Sequence, residues 1–126
     1  MKKAQKEPEE LLPLTPAVFH ILLALADGER HGYGIMQEIA GRTQGAMRMG
    51  PGTLYGSIKR MLADELIEAA AERPDPEMDD ERRRYYRLTD FGLRVLRAEA
   101  QRLEQLVSIV QSKSILANPK KIGGVS

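Results

Sequence analysis

The segment from Gly50 to Thr89 constrains this chain most: GPGTLYGSIKRMLADELIEAA is followed, across a short polar gap, by RRRYYRLT. It reads as one helix, two strands and the turn between them. On a helical wheel, Leu54, Ile58 and Met61 fall on one narrow stripe with Leu62 beside it, as a buried face requires. The opposite face carries Gly52, Gly56, Lys59, Arg60 and Ala63, flanked by Thr53 and Tyr55, so it holds two cations, no acid and little bulk. A merely solvated helix mixes both signs and favours long side chains; this face is trimmed to let something anionic come close. Pro51 suits a first helical turn, with Gly50 an acceptable cap before it.

Leu66 to Arg73 can pair with Arg82 to Leu88, because Arg84, Tyr86 and Leu88 alternate with Tyr85 and Arg87 at the period of a half-buried strand. Between them PDPEMDDE, with two prolines and a run of acids, is a hairpin tip. A small, basic helix face followed at once by such a hairpin outlines a winged helix-turn-helix, in which the helix enters a DNA major groove and the hairpin lies along the backbone beside it. The expected fold class is α+β, mainly α, with a small β-hairpin wing and a long C-terminal helix.

The rest of the chain is read around that segment. Thr15 is an N-cap and Pro16 a first helical residue, with Val18, Phe19, Leu22, Leu23 and Ala26 as the apolar face and Asp27-Gly28 as the stop. His31-Gly32-Tyr33-Gly34 opens a second helix running to about Thr43, with Ile35, Met36 and Ile39 turned inward. Ala46 to Met49 is expected to form a short third strand of the sheet. Thr89-Asp90 caps a last helix extended to about Leu116, roughly 40 Å long. Its Leu93, Leu96, Ala100, Leu103, Val107 and Val110 follow a coiled-coil seam that Leu106 and Ile109 widen. One small domain cannot cover such a rod, so a second, identical chain related by a two-fold axis is expected to share it; the leucine stripe as part of its own domain's core is the competing reading. The expected organisation is a flexible arm over residues 1–13, the DNA-binding domain over 14–89, the dimerisation helix over 90–116 and a disordered tail over 117–126.

Composition narrows the function. With 126 residues the chain fits one domain, and its longest apolar run, within Ala17 to Ala26, is too short to cross a bilayer. MKKAQKEPEELLP lacks the apolar centre of a secretory signal, and with no cysteine the simplest location is cytoplasmic. The net charge of +1 says little by itself, but from Ile39 to Ala63 there is no acid, while Arg42, Arg48, Lys59 and Arg60 all lie there. No nucleophile, base and orienting residue fall together, no glycine loop cradles a phosphate, and there are two histidines. No catalytic site, cofactor, metal or membrane partner is expected; His31 reads as a structural residue near a helix start.

Three blocks, LTPAVFHILLALADGERHGYGIMQEI, GPGTLYGSIKRMLADELIE and RRRYYRLTDFG, in this order and spacing, resemble the PadR family of bacterial transcriptional regulators, specifically its short members with a single C-terminal helix. The likeness covers Leu14 to roughly Leu106. It implies a dimeric winged-helix repressor that leaves its operator when an effector or signal arrives, and it makes Thr53, Tyr55, Lys59 and Arg84 the matching DNA-contacting positions. It also puts Glu65 where relatives have a glycine that ends the recognition helix in a left-handed turn. Either the helix ends differently here, or about a kcal/mol of strain is carried. The acidic tip from Asp75 to Glu81 would be repelled by phosphates, so it is expected to point away from the duplex.

The expected DNA-binding set is Arg48, Gly52, Thr53, Tyr55, Gly56, Lys59, Arg60, Arg82, Arg83 and Arg84 on a near-palindromic double-stranded operator. Arg82, Arg83 and Arg84 read equally as phosphate contacts or as cations that discourage edge-to-edge pairing. Arg48 either neutralises a phosphate or merely flanks the short strand. The main rival is a winged-helix interaction module, an adaptor or anti-activator, whose basic helix binds an acidic protein.

Overall fold

The computed structural model describes residues 6–70, 73–74 and 82–116. The Thr15 hydroxyl accepts the Val18 N–H and starts α1, Pro16–Ala24, whose Ile21, Leu22 and Ala24 are wholly buried. The chain leaves the helix at Leu25, so Ala26, expected on the inner face, is exposed, while Ile21, Ala24 and Leu25 fill the core instead. A two-residue strand β1, Arg30–His31, leads directly into α2, Gly32–Arg42. His31 caps α2, its Nδ1 accepting the Gly34 N–H at 2.9 Å, the structural role expected for it. α3, Pro51–Ala63, then packs Leu54, Ile58 and Met61 onto α1 and α2, with Leu62 half-buried beside them. Burial of each such side chain contributes about 1.5–3 kcal/mol.

The strands β2, Ile67–Ala69, and β5, Tyr85–Leu88, pair antiparallel with Ile67 opposite Leu88 and Ala69 opposite Tyr86, the hairpin read from the alternation. Farther out, β3, Arg73–Pro74, pairs with β4, Arg82–Arg83. The sheet has a third strand, but not Ala46 to Met49. β1 fills that edge, with Arg30 opposite Tyr86 and His31 opposite Tyr85. Residues 43–50 form a closed turn instead: Gln44 and Gly45 take positive φ, and the Thr43 hydroxyl accepts the Met47 N–H at 3.0 Å while donating to the Ile39 carbonyl at 2.8 Å. Backbone groups satisfied in that way are unavailable to a ladder.

The last helix, α4, spans Asp90–Ser112 with Thr89 as its cap, about 34 Å at 1.5 Å per residue. It stops short of Leu116 because Ser114 turns left-handed and the Ile115 N–H closes on the Val110 carbonyl. Its first turns are pinned to the sheet. The Thr89 hydroxyl donates to the Glu65 carbonyl at 2.6 Å, and a Cβ on Gly92 would run into the Leu66 carbonyl, so only glycine fits there. Phe91, Val95 and Leu96 complete the protomer's core.

The arm expected to be loose over residues 1–13 is ordered where it is described. Pro8–Leu11 is a single 3₁₀ turn against α4, and Leu11, Leu12 and Leu14 lie on the core. Glu99, 2% exposed, accepts the Leu14 N–H at 3.0 Å and pairs with Arg102, Nε to Oε1 at 2.5 Å. The Arg102 guanidinium holds the Glu99 carboxyl below its ordinary range; burial opposes this, and the Leu14 N–H assists. The wing tip from Asp75 to Glu81 and the tail over 117–126 lie outside the described residues. No helix among those residues is long and apolar enough to cross a membrane.

Candidate nucleic-acid interface

The outward face of α3 carries the sequence-derived set largely as expected. Gly52, Thr53, Tyr55, Lys59 and Arg60 are exposed and Gly56 is half-buried. The glycines are informative because the protomer does not need them. A Cβ at Gly52 would meet nothing within 4 Å, and one at Gly56 only the end of Arg60 at 3.8 Å. Gly56 sits inside the helix, where glycine costs about 1 kcal/mol relative to alanine, and Gly52 lies in its first turn. No contact among the described residues repays that penalty, whereas a surface approaching from outside would.

Charge is distributed to match. Arg30 bonds the Ala24 carbonyl and pairs with Asp27 and Glu38, Arg42 with Glu38, Arg87 with Glu68 and Glu29, and Arg102 with Glu99. By contrast, Arg48, Lys59 and Arg60 have no acid partner among the described residues. Arg60 folds back along α3, donating from Nη2 to the buried Ser57 hydroxyl at 3.3 Å, and Arg48 lies over the turn at Gly45. Lys59 is thereby the cation on α3 that no described residue holds.

Tyr55, 48% exposed, leans its hydroxyl onto the Cα of Gly32, the first residue of α2; a Cβ there would overlap the phenol. Its ring is thus set by the junction of α2 and α3. The paired tyrosines of β5 differ in burial, in keeping with the alternation of that strand. Tyr86 is buried, while Tyr85 is half-buried and stacks edge-on against His31 with centroids 5.2 Å apart. Burial raises the Tyr86 hydroxyl above its ordinary pKa; Arg84 pulls it down and Tyr55 adds to the rise. Arg84 is exposed at the base of the wing, and the side chains of Arg82 and Arg83 lie outside the described residues.

Of the seam expected on α4, Leu96 is withdrawn: it is 7% exposed and belongs to the protomer's own core. Leu93, Ala100, Leu106 and Val107 are exposed, and Leu103 and Val110 are half-buried. Sequence reading missed three contributors. Ser57, which positions Arg60, sits on the buried side at a position no apolar pattern marks. Gly32 was read only as a helix opener, and the Glu99 clamp joins residues 85 apart, beyond the reach of local spacing. The described residues contain no group of three or more potential metal ligands.

A family model described as the transcriptional regulator PadR-like family matches residues 21–98. The chain is 37% identical over 87 residues to the transcriptional regulator Rv3488 of Mycobacterium tuberculosis, covering 69% of this chain and 75% of that one. Of two other curated relatives, both uncharacterized, it spans 22% and 63% of the length. The fold is similar to that of a PadR family transcription regulator from Clostridium difficile, with TM-score 0.64 at 23% identity over 78% of this chain and 97% of that one. It is also similar to that of Bacillus subtilis PadR solved in complex with operator DNA, with TM-score 0.57 at 21% identity over 64% of this chain and 44% of that one.

Proposed function

The chain belongs to the transcriptional regulator PadR-like family, and from that premise we propose that it is a homodimeric repressor whose α3 enters the major groove of a near-palindromic operator. The observation that carries this is the pair of glycines on the exposed face of α3 that the protomer has no internal use for, beside a lysine without an acid partner among the described residues. Gly52 and Gly56 let the helix backbone approach the bases. Thr53 and Tyr55 face them, and Lys59, Arg48 and Arg60 neutralise phosphates, with Arg82, Arg83 and Arg84 doing so from the wing.

Neither Thr53 nor Tyr55 can make a bidentate base contact, so shape readout contributes much of the specificity. The exposed apolar residues of α4, Leu93, Leu106 and Val107 among them, support pairing with a second copy, which places two reading helices one or two helical turns apart. Repression, and release of the operator by an effector, belong to the same proposal, which family membership supports.

Selection from a randomised duplex pool tests the reading. Enrichment of a two-fold symmetric sequence is expected, and Lys59→Ala should weaken binding to all sequences and lower the salt slope by about one unit. Weak, sequence-blind, salt-sensitive binding would instead favour an acidic protein partner.

A further inference from the structure

Tyr86 sits in the middle of β5 at 7% exposure, with its ring in the core. Its hydroxyl makes no hydrogen bond to any described residue, and because among the described residues every fully buried side-chain polar atom is satisfied, that oxygen must reach solvent. Phenylalanine would fill the same space without bringing a polar atom to the edge of the core, where an unpaired hydroxyl stabilises nothing. The surroundings of that edge are specific. Register places Tyr86 opposite Arg30, two residues before α2 begins at Gly32. The Tyr55 hydroxyl rests on Gly32, and charge on either Tyr55 or Arg84 is felt at the Tyr86 oxygen. The wing strand β5, the recognition helix and the N-terminus of the 11-residue α2 therefore adjoin at this edge, and the notch between them has the Tyr55 hydroxyl on the first residue of α2 and the positive end of that helix's dipole beside it.

On the DNA-binding reading above, we propose that this notch takes one phosphodiester of the operator backbone, with the Tyr86 hydroxyl donating to a phosphate oxygen and Tyr55 beside it. The contact carries no base information. It fixes the rotation of α3 in the groove by tying the duplex to the point where the wing joins the helix-turn-helix.

The test uses the full chain and the duplex it enriches from the randomised pool, with Tyr86→Phe as the variant and single methylphosphonate substitutions in the duplex. Tyr86→Phe should bind about tenfold more weakly, with the salt slope unchanged because no cation is lost, and with the thermal midpoint unchanged because the hydroxyl bonds no described residue. A methylphosphonate at one position per half-site should cost the wild type a similar factor and Tyr86→Phe almost nothing further. Wild-type affinity in Tyr86→Phe overturns the notch; so does a loss of affinity that tracks a fall in thermal midpoint with no phosphate position becoming silent. In both cases Lys59→Ala still reports on the wider reading. Only a wild type that enriches no duplex removes both.

Discussion

Glycines in this chain answer to two different neighbours, and the difference can be measured one residue at a time. At Gly92 the neighbour is the Leu66 backbone carbonyl, so the fold itself demands the missing Cβ, and at Gly32 it is the end of the Tyr55 side chain, which a Cβ would displace. At Gly56 there is no internal claimant. Gly56→Ala is therefore expected to raise stability by up to about 1 kcal/mol while lowering DNA affinity, measured by denaturant unfolding and mobility shift on the same preparation. Unchanged affinity would show that the bare face of α3 meets nothing. Glu65 is the converse case, a side chain where glycine would do better. Its φ is +61°, the left-handed turn that was one of the two outcomes open to it, and the helix ends there through the Leu66 N–H on the Met61 carbonyl and the Glu65 N–H on the Leu62 carbonyl. Glu65→Gly is expected to stabilise the fold by about 1 kcal/mol, read as a shift in denaturant midpoint at constant slope. The glutamate was legible as an anomaly in the sequence. How it was resolved was not, because the cap is closed by hydrogen bonds that composition does not encode.

Elements show the same division. Helix starts were readable, since Thr15, His31 and Thr89 each cap their helix through a local side-chain acceptor three residues from its donor. Helix ends were read less evenly: α2 closes within a residue of the expected Thr43, whereas α4 stops at Ser112 and not near Leu116. α2, α3 and α4 are all followed by a non-glycine residue in the left-handed region, Gln44, Glu65 and Ser114, which residue type alone does not mark as a stop. The third strand was misplaced for a related reason. Residues 46–49 have the apolar look of a strand, but β1 faces the free edge of β5 and residues 43–50 satisfy one another. The N-terminal segment is held to α4 by Glu99, whose folded-state pKa lies below its unfolded value. A carboxyl lowered in this way stabilises the fold fully above the unfolded pKa, and its contribution is lost as pH falls through the folded value. Acidification below the ordinary glutamate range is thus expected to release Leu14, seen as faster exchange of its amide relative to core amides. In Glu99→Ala that amide should exchange fast at neutral pH as well. Equal protection in the wild type and Glu99→Ala at neutral pH would show that the 3₁₀ turn holds itself.

For the whole molecule the decisive surface is the distal half of α4. Leu106, Val107 and Ile109 stay 45–48% exposed on a helix that runs on past its own core. Leu103, half-buried, lies outside the set packed against that core. Leu103→Asp is accordingly expected to leave the protomer folded but monomeric at micromolar concentration, with sharply reduced operator affinity, in light scattering and mobility shift. A variant that remains a dimer where the wild type is one would move the seam elsewhere. The sequence alone determined the class of fold, the helix-turn-helix order, the pairing of the hairpin and the composition of the α3 face, because each follows from periodicity and capping over a few neighbouring residues. Tertiary structure alone decided that Leu96 faces inward, that β1 completes the sheet, that Tyr86 and not Tyr85 is buried and that Glu99 binds the N-terminal segment. Those outcomes join groups far apart in the chain, and only packing brings them within reach of one another.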